Sequence, residues 1–260
     1  PAGAELKGIM ERDVVSVTPD RDQEEVARLV SQYNLLAIPV VDNNSTLLGI
    51  VTVDDVVDVI REEATEDFLQ MAGIGKDREI LMKSTFDNVK LRPPWLFASW
   101  IGGTIAAYVI GTFEPLLESV IVLAAFIPVI IGMGGNVGTQ SSTIIVRGFA
   151  TGRLQLSKIG SVIWKEMRVG LILGIFYGIL LGAVAMLKFI DAPPELGLVV
   201  GLAICVSMII ATSIGTLVPI VLRKLDVDPA IASGPFVTTA IDIFGLLAYF
   251  LIAVSFISSI

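Results

Sequence analysis

The sequence contains no histidine and only one cysteine among its 260 residues. Without an imidazole group it has neither a Ser-His-Asp hydrolytic triad nor an HExxH zinc site, which excludes those two classes of hydrolase. The single cysteine, Cys205, lies inside an apolar run and has no second cysteine with which to form an intrachain disulfide. We expect a protein that is not an enzyme.

Basic residues are also scarce: the chain has 18 Lys and Arg and 26 Asp and Glu. The net charge of -8 and the lack of a basic patch argue against nucleic acid as a partner. The acidic excess falls entirely within residues 1–92, whereas residues 93–260 are neutral overall and strongly apolar. We therefore expect an acidic soluble module followed by a membrane domain.

Long stretches without charge are abundant in the second part of the chain. Each is about as long as the 20 residues that a helix needs to cross a bilayer. They predict an α-helical membrane protein with five transmembrane helices, preceded by a small cytosolic α/β domain. The five predicted spans are residues 93–113, 119–146, 169–187, 196–222 and 229–260.

The charges between the spans predict their orientation. If the soluble module is cytoplasmic, that side of the membrane carries nine Lys and Arg, and the other side carries only Lys188. Such an imbalance is typical of cytoplasmic loops, so we expect a cytoplasmic N-terminus and an outside C-terminus. The chain opens on polar residues without a cleavable signal peptide and without Met, so we expect a piece of a longer protein.

Asp242 is the one carboxylate within the fifth span. An ionisable group at membrane depth is costly and usually faces a bundle interior or a water-filled path. The alternative is a carboxyl near the headgroups or hydrogen-bonded between helices. Thr238 lies four residues earlier and thus on the same helical face. Oxygen ligands without histidine favour a hard divalent cation such as Mg²⁺, which keeps most of its waters.

The second span ends in a segment rich in glycine and polar residues, which includes Gly134, Gly135, Asn136 and Gln140. Polar groups at that depth need partners, and glycines could expose backbone carbonyls to a cation. A structural polar interface between helices is the alternative. In the third span four glycines recur at intervals of four, a stripe that we interpret as helix packing.

The soluble third alternates strand and helix signals in the order β-α-β-β-α. The predicted strands are residues 14–17, 37–41 and 47–52, and the predicted helices are residues 22–33 and 53–63. With the motifs IMERDVVSVTPD, NLLAIPVVDNN and LLGIVTVDDVVDVI, the segment resembles a CBS domain. CBS modules usually pair, so either a second repeat lies elsewhere in the protein or another subunit supplies it.

The last helix of this module is acidic. Asp55, Asp58 and Glu62 recur at steps of three and four and share a face, and further carboxylates follow in the motif REEATED. Like charges at that spacing repel unless cations neutralise them, so a solvated face and a cation sensor are equally favoured. The connector 77–92 is expected to be helical up to the Pro93-Pro94 pair and to transmit motion to the membrane.

Four further motifs bring these parts together: ATED at 64–67, PVIIGMGGNVGTQSST at 128–143, KEMRVG at 165–170 and LDVDPAIASGPFVTTAID at 225–242. With the CBS-like module and five spans, they resemble the MgtE family of Mg²⁺ transport proteins over nearly the whole chain. The resemblance implies a homodimer in the lipid bilayer whose pore lies on the twofold axis, between the second and fifth transmembrane helices.

The resemblance also assigns roles to residues. It implies that Asp242 and the backbone of Thr238 bind transported Mg²⁺, and that Gly134, Gly135 and Asn136 line the pore. We place Gln140 and Thr239 in the pore lining as well. Regulatory Mg²⁺ is expected at six carboxylates: Asp55, Asp58, Glu63, Glu66, Asp67 and Asp228.

From these patterns we expect three domains: a single CBS-like repeat (1–67), a connecting or plug helix (68–92) and a pore domain (93–260). The family's amino-terminal helical domain and first CBS repeat are not in this sequence, so ATP binding between repeats would belong to a full-length protein. The predicted function is channel-like, Mg²⁺-gated transport of Mg²⁺, and of other divalent cations, across a prokaryotic plasma membrane. The alternative is a carrier that exchanges the cation for Na⁺ or H⁺.

Overall fold

The computed structural model describes residues 8, 10–11, 13–74, 82–154, 159–232 and 234–257. The chain forms two compact units, Pro1–Thr65 and Glu66–Ile260. In chain order the elements are α1 (Gln23–Tyr33), β1 (Ala37–Val41), β2 (Leu47–Thr52), α2 (Val53–Met71), α3 (Thr85–Leu91), α4 (Pro93–Thr112), α5 (Glu114–Ser119), α6 (Ile127–Ala150), α7 (Ile159–Lys188), α8 (Leu196–Lys224) and α9 (Pro235–Ile257). Two short 3₁₀ helices, Ile121–Phe126 and Pro229–Ala232, precede α6 and α9.

The first unit is built around an antiparallel pair, β1 and β2. Helix α1 begins at Asp22, whose side chain accepts a hydrogen bond from the Glu24 amide, and ends at Asn34 in the left-handed conformation. The Asp42 side chain accepts the amides of Asn44 and Thr46 at 2.8 Å and so closes the turn between the strands. These hydrogen bonds lower the pKa of Asp42, and the bond from the Thr46 amide has the largest effect. Of the predicted β-α-β-β-α order, the last four elements are confirmed.

Two predictions for this unit differ from the structure. The strand expected at 14–17 is reduced to one parallel bridge from Val17 to Val40, because Val14 is exposed and adds no apolar face to the sheet. Helix α2 continues to Met71 instead of ending at residue 63, since the first helix-breaking residue after it is Gly73. The small core comprises Val17, Val26, Ala27, Val30, Ile38 and Val56.

In the part of the second unit that the structure describes, five helices are long and apolar enough to cross a membrane, as the sequence predicts. Helix α7 starts ten residues before the predicted span. Its 30 residues extend about 45 Å, which exceeds a hydrocarbon core of about 30 Å, so its charged first turns extend beyond the lipid tails. Of the connector, α3 is described, capped by Ser84, whereas residues 75–81 lie outside the described residues.

Helix α8 is the most buried of the five, and its principal neighbour is α7. The glycine stripe of α7 lies at this contact: a Cβ added to Gly178 would lie 2.5 Å from the carbonyl oxygen of Gly201, and one added to Gly182 would lie 2.6 Å from that of Gly197. Any larger residue would push the helices apart, which confirms that the stripe serves packing.

Helix α6 is continuous through the glycine-rich segment, in contrast to the suggestion that its carbonyls are exposed to a cation. In a bilayer the backbone groups must be satisfied within the protein, and the unbroken helix does this. The polar groups that this segment offers to its surroundings are therefore its side chains and the backbone atoms left uncovered at its glycines.

Candidate functional site

Asp242 lies on α9, half-buried, beside the glycines of α6. A Cβ added to Gly135 would lie 4.0 Å from Oδ1 of Asp242, and the preceding Ile241 packs against Gly134 and Gly138. The glycines thus allow α6 to approach α9 closely and bring the polar segment to the carboxylate. Within the described part of the chain, no hydrogen bond or ion pair engages Asp242.

Asn136 and Gln140 are exposed on α6 and stand four residues apart, so their amides form one polar stripe. They lie within Ile121–Ala150, a span that is long and apolar enough to cross a membrane. Primary amides directed at lipid tails would have no hydrogen-bond partner. This face of α6 therefore requires either water or another protein surface against it.

The two threonines of α9 have different environments. The hydroxyl of Thr238 donates to the carbonyl oxygen of Pro235 at 3.2 Å within its own helix turn. Thr239 packs against Gly102 of α4 so closely that no larger residue fits at position 102. The structure therefore brings Asp242, Gly134 and Gly135 together and directs the Thr239 side chain to the contact between α4 and α9.

The acidic residues of α2 in the first unit are largely exposed, as Asp55 and Asp58 are. The Thr52 hydroxyl donates a hydrogen bond of 2.9 Å to Asp55. Hydrogen bonding by the Thr52 side chain is also the largest of the effects that lower the pKa of the adjacent Asp54. Glu63 accepts a hydrogen bond of 2.6 Å from Gln23 of α1. The start of α2 is therefore negatively charged at neutral pH.

The remaining acidic candidates, Glu66, Asp67 and Asp228, lie in the second unit. The sequence does not indicate which residue connects Glu66 to Asp228. Gln70 is fully buried at the end of α2, and its Nε2 donates to Asp228 at 2.9 Å and to Glu66 at 3.3 Å. The other oxygen of Asp228 accepts the Ala230 amide at 2.9 Å. Sequence reasoning missed Gln70, because a glutamine at the end of an acidic helix resembles a solvated residue.

Two glycines complete this junction. Gly73 ends α2 with a φ of +71°, and a Cβ added there would lie 3.2 Å from the ring of Pro235, the first residue of α9. A Cβ on Gly234 would lie 3.1 Å from the carbonyl oxygen of Met71. The end of α2 thus packs directly on the first turn of α9, two turns before Asp242.

Among the described residues, no group of three or more His, Cys, Asp or Glu could hold a metal ion. Among these described residues, Asp242 is the carboxylate that lies where α6 approaches α9. That donor set fits a cation that keeps its water shell better than one stripped of water.

Comparison with known proteins agrees with both halves of this description. Residues 127–252 match the family described as MgtE, a divalent cation transporter, and residues 6–62 match the CBS domain. The chain is 42% identical over 255 residues to "Magnesium transporter MgtE" of Bacillus subtilis (strain 168), covering 98% of the chain and 56% of that relative.

Two further relatives carry the same name. The protein of Thermus thermophilus is 43% identical over 249 residues, covering 94% of the chain and 54% of the relative. The protein of Enterococcus faecalis is 39% identical over 251 residues, covering 96% and 54% respectively. The chain therefore spans about half the length of the curated relatives that it matches.

Proposed function

Because the chain belongs to the MgtE family, we propose that it forms the pore part of a Mg²⁺ transport protein in a prokaryotic plasma membrane. The observation that carries the proposal is the half-buried carboxylate of Asp242, which lies beside the glycines of α6 and has no hydrogen-bond partner among the residues that the structure describes. A carboxylate kept at membrane depth without an ion pair requires a cation or water to meet it.

Two copies of the chain would complete the site. Asn136 and Gln140 need a polar or protein surface, and a twofold axis beside α6 and α9 would place the two stripes opposite each other. Two Asp242 carboxylates sharing one site oppose joint ionisation unless a cation lies between them. Mg²⁺ loses its waters reluctantly, so the pair would hold the hydrated ion, with the backbone near Thr238 contacting its waters.

Mg²⁺ uptake by cells that lack their own Mg²⁺ systems tests this proposal. The native protein, Asp242→Ala and Asp242→Asn would be compared at equal membrane expression. We expect growth at low Mg²⁺ and Mg²⁺ influx to be lost in both variants. Asp191→Ala, which removes an exposed carboxylate from the α7–α8 loop, is the matched control and should transport normally. Full rescue by Asp242→Ala would refute the assignment.

We propose in addition that internal Mg²⁺ regulates transport through the acidic residues of α2 and through Asp228. At high Mg²⁺, ions would bridge carboxylates that otherwise repel one another, and mass action would favour the closed state. The packing of Met71 and Gly73 on Gly234 and Pro235 supports this idea, because it gives the end of α2 a direct contact with the helix that carries Asp242.

Regulation is tested in the full-length protein with Asp55, Asp58 and Glu66 changed together to Ala. We expect Mg²⁺ influx to continue at internal Mg²⁺ concentrations that close the native protein. Glu114 and Glu118, on the short helix α5, provide a control pair with similar charge. Unchanged inhibition in the triple variant would refute the sensor, while leaving the pore assignment intact.

A further inference from the structure

Glu166 of α7 is a buried carboxylate that has no role in the function proposed above. Only 6% of the residue is exposed, although its neighbours Lys165 and Arg168 are exposed. No ion pair within the described residues includes Glu166. Burying an unpaired carboxylate is unfavourable, and an apolar or amide side chain would fill the same space at lower cost. A role for its oxygens is therefore indicated.

The partner of Glu166 is Ser141 of α6, whose Oγ donates to Oε2 at 2.9 Å. A hydroxyl in these helices can be satisfied without such a partner, because several donate to a carbonyl oxygen of their own helix four residues earlier. Thr104, Thr112, Ser213 and Ser255 do so at 2.8, 2.9, 2.7 and 2.7 Å. Ser141 instead makes a bond between helices, which links α6 to α7.

The link acts on the face of α6 that contacts the other pore elements. Gly134, Gly138 and Ser141 are spaced by four and three residues and lie on one side of the helix. Gly134 and Gly138 contact Ile241 of α9, and Gly138 also touches Gly215 of α8. Glycine surfaces permit close approach but offer no side chain that interlocks, so these contacts fix the distance between helices better than the rotation of α6.

We propose that Glu166 is a positioning residue for the cation path, which holds the rotation of α6 through Ser141 and so keeps Gly135 and Asn136 in place near Asp242. This inference rests on the proposed function. A rotation of about 25° moves a Cα atom by about 1 Å on the helix cylinder, which has a radius of about 2.3 Å. A shift of that size separates a good hydrogen bond from a lost one.

The rotation of α6 is measured independently of transport by thiol accessibility. In a Cys205→Ser background, Asn136→Cys is labelled with a water-soluble methanethiosulfonate in the reconstituted protein. We expect Ser141→Ala and Glu166→Leu to change the labelling rate at least about threefold. The loss of a typical hydrogen bond shifts a conformational equilibrium, here the rotation of α6, by about that factor. Glu166→Gln keeps an acceptor oxygen and should retain the native rate, as should the control Ser213→Ala, whose hydroxyl bonds its own helix. Native labelling rates in both Ser141→Ala and Glu166→Leu would overturn the proposal.

Transport and melting temperature complete the test in the same liposomes. Ser141→Ala and Glu166→Leu should lower the flux of Mg²⁺ relative to Co²⁺, and the double variant should be no worse than the worse single variant.

A fall in melting temperature with unchanged flux per folded protein would show a merely structural role and overturn the proposal. Impairment by Glu166→Gln as great as that by Glu166→Leu would do the same, because the charge would then be what acts. If the native protein itself carries no Mg²⁺, the proposed function fails, whereas the labelling experiment still decides the role of Glu166.

Discussion

At the scale of single residues, Asp242 and Glu166 are the same chemical group in two environments. Among the described residues Asp242 is half-buried beside glycines without a hydrogen-bond partner, whereas Glu166 is enclosed and accepts the Ser141 hydroxyl. A carboxylate whose lone pairs are free would be available to a cation, while one that accepts a hydroxyl of another helix would hold that helix. Sequence distinguished Asp242, because it stands alone in an apolar span, but not Glu166, which lies between basic residues and resembles a surface residue.

Gln70 allows a prediction about charge at the junction between α2 and α9. Gln70→Glu would replace the amide donor by a third carboxylate within reach of Glu66 and Asp228. Like charges repel unless a cation is present, so we expect the melting temperature of Gln70→Glu to fall in a chelator and to recover with added Mg²⁺. Differential scanning fluorimetry over a Mg²⁺ titration measures this.

The control is Gln32→Glu, which adds the same charge at an exposed site on α1. Its melting temperature should depend on Mg²⁺ no more than that of the native protein does. Equal Mg²⁺ dependence in both variants would contradict a specific effect at the junction.

Tyr249 gives a second prediction at this scale. Its hydroxyl is buried and donates to the carbonyl oxygen of Leu123 at 2.8 Å, in the 3₁₀ helix that precedes α6. Tyr249→Phe keeps the ring but leaves that carbonyl unsatisfied, at a cost of about 1 to 3 kcal/mol. Unfolding of the purified protein in detergent should show this loss. Ser255→Ala, which removes an exposed hydroxyl bonded to its own helix, should change stability by less than about 0.5 kcal/mol.

At the scale of elements, glycines decide how closely the membrane helices approach. The spacing of four in α7 was sufficient to predict a packed face, because a helix places such residues on one side. The pairing of that face with α8 was not predicted, although Gly197 and Gly201 of α8 show the same spacing of four and contact α7 together with the backbone of Cys205. Complementarity between two helices is a property of the pair and does not appear in either pattern alone.

The contact between α7 and α8 gives a prediction with a control in the same helix. Gly178→Ala would place a Cβ 2.5 Å from the carbonyl oxygen of Gly201, so the helices must separate, at a cost of about 1 to 3 kcal/mol. Gly160→Ala meets no atom within 4 Å and should be neutral or stabilising by up to about 1 kcal/mol. Unfolding in detergent compares the two variants. Equal effects would contradict the view that the stripe serves packing.

Sequence patterns were reliable at this scale where a period or a helix-breaking residue defines an element. The five spans, α1 and both strands lie close to their predicted positions. The extensions of α2 to Met71 and of α7 back to Ile159 were missed, because charged residues end an apolar run without ending a helix. Glu66 and Glu166 both lie in these extensions. The sequence therefore missed the segments in which these residues bind Gln70 and Ser141.

At the scale of the whole molecule, one copy of the chain leaves polar groups exposed at membrane depth. Asn136 and Gln140 of α6 are exposed, whereas the polar side chains of α8, such as Ser207, Thr212 and Thr216, are buried within the bundle. A monomer in lipid would leave the amides on α6 without hydrogen-bond partners. A second copy related by a twofold axis would satisfy both stripes at once, because the same surface would lie on each side of the axis.

Cysteine cross-linking in native membranes tests this assembly. In a Cys205→Ser background, we expect Asn136→Cys to form a disulfide-linked dimer under mild oxidation, because equivalent residues near a twofold axis approach each other. Ile172→Cys is the control, since Ile172 is also exposed but lies on α7, on an apolar face suited to lipid. Dimer formation by Ile172→Cys and not by Asn136→Cys would place the axis elsewhere. It would also remove the reason for pairing two Asp242 carboxylates around one ion, because a carboxylate distant from the axis cannot share a cation with its copy.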